Sequence, residues 1–225
     1  MIRRVKTTEE KNIEATKILA GAYSLKNPED HVEYYGRIAK DYDTKFAGNM
    51  GYIYPKEIAK KILEIRNEIS GKICDIGCGT GLVAECLKNA DQTLVIDGVD
   101  VSQEMLEVAR NKKIYNSLYA VDLTADTYKI PTDYSAIISA GTFTHGHLGP
   151  EPIRSLIKYC KNNAQCFIGV NQVHFDEKHF ASFLNNMIEE KIIANLSITE
   201  LTIYLNQESE YRSDKALLCY FEVSC

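Results

Sequence analysis

The sequence predicts an α/β fold: a largely parallel sheet with helices on both faces, preceded by a helical segment and ended by a β-hairpin. Three observations carry this. From Gly71 to Cys166 short apolar runs alternate with helical patterns, as βαβ units do. The first of those runs ends in a turn with glycines at Gly77, Gly79 and Gly81, directly before a helical VAECLK segment. Near the end, Leu196 to Leu205 and Ala216 to Val223 are two apolar, β-rich runs separated by polar NQESEYRSD, the signature of a hairpin.

The elements follow in order. Residues 3 to 26 read as a helix with Ile13, Ile18, Leu19 and Tyr23 as an apolar stripe, broken at Asn27-Pro28. Glu29 to Phe46 is a second helix carrying Val32, Tyr35, Ile38, Ala39 and Tyr42. The loop AGNMGYIYP follows, and Pro55 starts a third helix to about Ile69, a position where proline is tolerated. Strands are expected from Gly71-Lys72-Ile73 into the glycine turn, at Leu94 to Val99, Leu118 to Val121, Tyr134 to Ser139 and Gln165 to Asn171. Helices are expected at Glu151 to Lys161 and Asp176 to Ile192. Residues 1–54 form a helical cover over the cleft and 55–225 the main domain.

The glycine loop specifies its ligand. Strand, Asp75-Ile76-Gly77-Cys78-Gly79-Thr80-Gly81, then helix is a nucleotide-binding turn, in which glycines allow positive φ and close approach of a ligand to the main chain. A dinucleotide loop needs G-x-G-x-x-G, and the position of its last glycine is Leu82 here. Asp75 would repel a pyrophosphate and suits a cationic amino group. Adenosine joined to a free amino acid is S-adenosylmethionine. Asp100 closes the second strand about 20 residues on, where an acid holds ribose hydroxyls. Ser102 occupies an N-cap position before Met105, Val108 and Ala109. Asp122 closes the third strand, facing the adenine ring or serving as a turn residue.

CDIGCGTG, GVDVSQEML, YAVDL and YSAIISAGTFTHGHLGP together resemble the successive motifs of class I S-adenosylmethionine-dependent methyltransferases. The THGH segment is most similar to the methyltransferase-like proteins of the Williams–Beuren region. The resemblance implies a Rossmann-like seven-stranded sheet, mostly parallel with one antiparallel strand from the C-terminal hairpin. It implies S-adenosyl-L-methionine as cofactor and S-adenosyl-L-homocysteine as product. It implies a cofactor-binding set of Tyr42, Asp75, Ile76, Gly77, Cys78, Gly79, Thr80, Gly81, Asp100, Val101, Met105, Val121, Asp122, Leu123, Ala140, Gly141 and Phe143. Tyr42-Asp43 resembles the element that closes over the methionine end, although Tyr42 also fits a core-facing stripe. Met50, Tyr52 and Tyr54 lie in a glycine-flanked loop able to act as a lid.

Composition bounds the partners. The chain has 225 residues, 45% of them hydrophobic, and a formal charge of −5, which disfavours duplex nucleic acid. No apolar stretch has the length of a membrane span, and the N-terminus carries no export signal. Seven dispersed cysteines without a C-x-x-C pair read as reduced cytoplasmic thiols, with Cys78 a space-filling residue of the loop.

A sulfonium methyl group needs alignment and exclusion of water more than chemical assistance. A base is required only where the nucleophile must lose a proton. His145 and His147 follow the fourth strand, where an open α/β sheet presents its crevice, and are the candidate catalytic residues, with loop hydrogen bonding as the alternative. As a base, either would make the rate fall below roughly pH 6.5. No metal site accompanies the H-x-H spacing. The Ser-Ala-Gly-Thr at this strand end is unlike the Asn-Pro-Pro of nucleobase amino-methylating enzymes. A small-molecule acceptor is the leading reading. A protein or RNA acceptor, or a non-catalytic S-adenosylmethionine-binding subunit, are the alternatives.

Overall fold

The computed structural model describes residues 6–25, 28–125, 127–206 and 208–224. The parts of the first expected helix at 3–5 and 26, the break at Asn27, and Cys225 lie outside the described residues. The chain runs α1 (Thr8–Tyr23), α2 (Pro28–Asp41), a π-helical turn (Tyr42–Ala47), α3 (Gly48–Met50), α4 (Tyr54–Glu64), β1 (Ile73–Ile76), α5 (Leu82–Ala90), β2 (Ile96–Asp100), α6 (Gln103–Lys112) and β3 (Ser117–Ala120). It continues through β4 (Tyr134–Phe143), α7 (Glu151–Leu156), β5 (Cys160–Asn171), α8 (Gln172–Glu177), α9 (Phe180–Glu189), β6 (Ile193–Thr202) and β7 (Lys215–Val223).

The seven strands form one sheet in the order β3-β2-β1-β4-β5-β7-β6, with β7 antiparallel to both its neighbours and the other pairs parallel. This is the Rossmann-like arrangement. All four residues of β1 are buried, because each face carries a helical layer. Ile73 packs with Ile58, Ile62, Ala84 and Leu87 of α4 and α5 on one face. Cys74 and Ile76 pack with Ile153, Leu156, Phe180 and Leu184 of α7 and α9 on the other. The N-terminal helices share the first core: Ala15 and Leu19 of α1 meet Phe46 and Met50 there. The segment after α3 is stitched to the hairpin edge, with Ile53 donating to the Ile203 carbonyl at 3.1 Å and Leu205 to that of Gly51 at 2.9 Å.

Start signals of two helices are well formed. Thr7 and Glu10 make a reciprocal capping box at α1, and the Ser102 hydroxyl accepts from Met105 N–H at α6. Several boundaries differ from the sequence expectation. The helix expected to Phe46 leaves α geometry at Tyr42 for a π turn, a rare form that occurs often at functional sites. The helix expected over Asp176 to Ile192 is two helices, divided where His179 takes φ of 56°. Those expected to Ile69 and Lys161 stop at Glu64 and Leu156, each followed by a 3₁₀ turn. β4 runs on to Phe143 through a register shift, with Gly141 at φ of 87°.

Candidate functional site

The sheet order changes direction between β1 and β4, and in open α/β sheets the crevice at such a switch point takes ligands. Here the crevice is opened by side chains: Ser139 and Thr142 of β4 both direct hydroxyls to the Ile76 carbonyl, each at 3.0 Å. That caps the end of β1 and sends the glycine loop away from β4. Gly77 has φ of 62°, and a Cβ on it would collide with the Thr142 side chain. Gly79 has φ of 53° and a Cβ there would meet nothing within 4 Å, so this glycine faces open space.

The resulting cavity, of about 210 Å³, is lined by the loop, the ends of β2, β3 and β4, and the N-terminal segment. Of the candidate residues, Tyr42, Asp75, Gly77, Cys78, Gly79, Thr80, Asp100, Val101, Met105, Val121, Asp122, Leu123, Ala140, Gly141 and His147 line it. Ile76, Gly81, Phe143 and His145 do not. Ile76 is fully buried beneath the loop, and Gly81, at φ of 91°, backs onto the Tyr115 ring. Phe143 is buried against Phe180, with ring centroids 5.8 Å apart. His145 stands edge-on to Tyr23 at 4.7 Å.

Asp100 and Asp75 are held in place by hydrogen bonds. Asp100 accepts from Gly79 N–H and Ser102 N–H, each at 2.8 Å, one on each carboxylate oxygen, which fixes the loop against the end of β2. Burial raises its carboxyl above the ordinary range, partly offset by those backbone hydrogen bonds. Asp75 is 1% exposed. Its Oδ2 accepts from the Tyr115 hydroxyl at 2.7 Å, and among the described residues it has no ion-pair partner. Burial pushes its carboxyl up to about 7, opposed by the Tyr115 hydrogen bond and reinforced by Asp100. Asp122 is exposed, and its Oδ1 caps a turn by accepting from the N–H and hydroxyl of Thr124 at 2.8 and 2.7 Å.

Two histidines, His31 and His147, also line the cavity. His147 Nδ1 is 2.9 Å from the Thr142 carbonyl oxygen, which accepts its hydrogen and leaves Nε2 as the unprotonated nitrogen. That Nε2 is buried and has no hydrogen-bond partner among the described residues. Burial, with His31 and His174 nearby, pushes the imidazole down to about 3, against the favourable Thr142 contact. His31 of α2 crosses it edge-on with ring centroids 3.5 Å apart, and among the described residues neither of its ring nitrogens has a hydrogen-bond partner. Burial pushes His31 down to about 4.

The sequence reading missed His31 and Tyr115. His31 precedes Tyr35 by four residues, so it shares the helical stripe of Tyr35, Ile38 and Tyr42, and that spacing was the available signal. Tyr115 lies in a loop with no periodicity. It missed also the contacts that tie the π turn to the glycine loop and to α5 and α6: the Thr80 hydroxyl donates to Asp43 at 2.5 Å, and Lys112 bridges Asp43 and Glu85 at 2.7 and 2.8 Å.

The methyltransferase-domain family matches residues 73–165, the stretch from β1 into β5. The demethylmenaquinone methyltransferase of Thermotoga maritima is 30% identical over 130 residues, covering 56% of this chain and 53% of that protein. The chain spans about half or less of the length of the curated relatives it matches. Among solved structures, an S-adenosylmethionine-dependent methyltransferase from Clostridium acetobutylicum superposes with a TM-score of 0.59 at 15% identity, covering 85% of this chain and 99% of that one. The plantazolicin methyltransferase BpumL, solved in complex with S-adenosylhomocysteine, does so with a TM-score of 0.56 at 14% identity, covering 97% and 99%. At these identities the likeness shows the fold.

Proposed function

We propose that the chain is an S-adenosylmethionine-dependent methyltransferase acting on a small molecule. The observation that carries this is the single cavity on which Asp75, Gly79, Asp100 and His147 meet. The residues fit the cofactor. Asp75 is a buried carboxylate without a cation, and an α-amino group supplies one. Asp100 retains acceptor capacity beyond its two loop contacts for a pair of ribose hydroxyls. Gly79 leaves room for a ligand against the main chain, and Val101, Met105 and Leu123 offer apolar surface to an adenine. When bound, S-adenosylmethionine supplies an activated methyl group to a nucleophile.

The protein's work is then to position, to exclude water and to accept a proton. Tyr35, Tyr42 and Tyr52 line the cavity from the N-terminal side, and the Thr80–Asp43 contact fastens that side to the glycine loop. Residues 1–54 act as a cover, the remainder as the transfer domain. The small cavity, of about 210 Å³ and walled on one side by tyrosines of the N-terminal segment, favours a small acceptor over a protein or RNA. His147 is the base, because its unprotonated Nε2 is held by the Thr142 contact in a water-poor wall. His145 packs against Tyr23. The finer likeness to the Williams–Beuren-region proteins rests on the THGH segment, and we include it in this reading.

Calorimetry with S-adenosylhomocysteine and NAD tests the proposal. Specific binding of the first and none of the second is expected, and a preference for NAD would sink it. The same titration has a pH signature. Asp75, with its pKa raised by burial, is neutral below about 7, so the ammonium group loses its counter-charge as pH falls. Affinity should drop between pH 8 and 6, by up to about tenfold per unit below 7.

A further inference from the structure

We propose that Tyr115 is a positioning residue for the cofactor: its hydroxyl steadies the Asp75 carboxylate that takes the α-amino group, and so sets the pH range over which S-adenosylmethionine binds. This rests on the reading of Asp75 as the amino-group site.

The chain builds a slot for this ring. After α6 ends at Lys112, Lys113 takes φ of 54° and the chain turns back toward the sheet. Asn116 is tied to the start of β2, its N–H donating to the Ile96 carbonyl at 2.7 Å and its Nδ2 to Asp97 Oδ1 at 2.8 Å. Tyr115 is held between these two anchors. A Cβ on Gly98 would lie 2.9 Å from Tyr115 Cε1, and one on Gly81 would lie 2.9 Å from Cε2. The two edges of the ring therefore stand against two glycines, one in β2 and one directly before α5, and a side chain at either would press on the ring. Gly98 is also the register partner of Asp75 across β1 and β2. The slot delivers the hydroxyl to Asp75 Oδ2 at 2.7 Å. Tyr115 is not among the residues that line the cavity, so it acts through Asp75 and not on the ligand.

Burial favours a neutral carboxyl, and Asp75 is 1% exposed. The titratable groups that face it are Asp100 at the end of β2, Cys78 in the glycine loop, Cys74 on its own strand, and Tyr115. None is a cation, and of these the Tyr115 hydroxyl is the one that favours the charged form. Burial, reinforced by Asp75 and Cys78, keeps that hydroxyl protonated well above the ordinary tyrosine range, so it stays a donor. With this hydrogen bond in place the carboxyl stands at about 7. A hydrogen bond to the charged form lowers a carboxyl pKa, so its loss must raise it. Asp75 would then be mostly neutral at pH 7, and the ammonium group would lose its counter-charge.

The test compares wild type with Tyr115→Phe, which keeps the ring in its slot. In ligand-free protein carrying ¹³C-aspartate, the Asp75 carboxyl is identified by its loss in Asp75→Asn and titrated by NMR. Its midpoint is expected to rise by about one pH unit in the Phe variant, the worth of a hydrogen bond to a charged group. Calorimetry with S-adenosylhomocysteine gives the ratio of the two affinities against pH, in which the titration of the ligand's own amino group cancels. The Phe variant is expected to bind about fivefold more weakly at pH 7 and to approach wild type by pH 9. An unmoved Asp75 midpoint, or an affinity ratio that is the same at every pH, overturns the proposal and leaves Tyr115 as packing. If the midpoint moves but S-adenosylhomocysteine fails to bind wild type, or binds Asp75→Asn as tightly, the amino-group reading of Asp75 falls and the proposal falls with it.

Discussion

Replacing His147 by Asn is expected to lower turnover by about 10²–10⁴-fold, the usual worth of a general base, with S-adenosylhomocysteine affinity nearly intact. The residue lines the cavity and touches neither Asp75 nor Asp100 through any described hydrogen bond, so the effect should fall on turnover. The matching His145→Asn variant should retain most activity, because that ring lies against Tyr23 off the cavity. The pH profile distinguishes the structure from the sequence-based expectation. An ordinary imidazole would make the rate fall below roughly pH 6.5. Buried, and facing His31, His174 and Tyr35 with no carboxylate among them, His147 stays neutral down to about 3. Turnover at saturating cofactor should therefore stay flat from pH 8 to 5, while the KM for the cofactor rises below pH 7 as Asp75 takes up a proton. Measured kcat and KM against pH separate the two groups. A kcat that titrates near 6.5 would contradict the burial argument, and an unchanged kcat in His147→Asn would make the residue structural.

The second large effect is at Asp100. Its replacement by Ala should weaken S-adenosylhomocysteine binding by about 1.5–3 kcal/mol, the cost of a charged hydrogen-bond partner. The structure adds a reason that the sequence does not contain. Asp100 also holds Gly79 N–H and Ser102 N–H, so its loss frees the glycine loop as well as the ribose. Asp100→Asn keeps one acceptor oxygen and should fall between wild type and Ala. Isothermal titration gives the affinities, and thermal unfolding without ligand shows how much of the change is loop stability. Affinity equal to wild type in the Ala variant would show that the ribose is held elsewhere.

The sheet was legible because its signals are local. Glycines at alternate positions, an acid closing β2 and polar residues between two β-rich runs each report a backbone need within a few residues. The hairpin and the β1 loop therefore lie where the sequence places them. What was not legible depends on contacts between distant segments. The π turn at Tyr42–Ala47 keeps a helical composition, and Asp43 reaches across to Thr80 of the glycine loop and Lys112 of α6. β4 extends past Ser139 because Ser139 and Thr142 reach back to the Ile76 carbonyl, a pairing across 63 and 66 residues. The same distance hid part of the candidate site. Tyr115 meets Asp75 across 40 residues. His31 and His147 belong to different ends of the chain and acquire meaning only as a crossed pair. Motif reading could not separate His145 from His147, because a displacement of two positions along the turn after β4 puts one ring on the cavity and the other against Tyr23.

A crystal structure of the protein with S-adenosylhomocysteine tests the central claim most directly. The account predicts ribose hydroxyls within hydrogen-bond distance of Asp100, the adenine between Val101 and Leu123 near Asp122, the α-amino group at Asp75, and the sulfur turned toward His147. A ligand found outside this cavity, or seated in it with its ribose away from Asp100 and its sulfur away from His147, would contradict it.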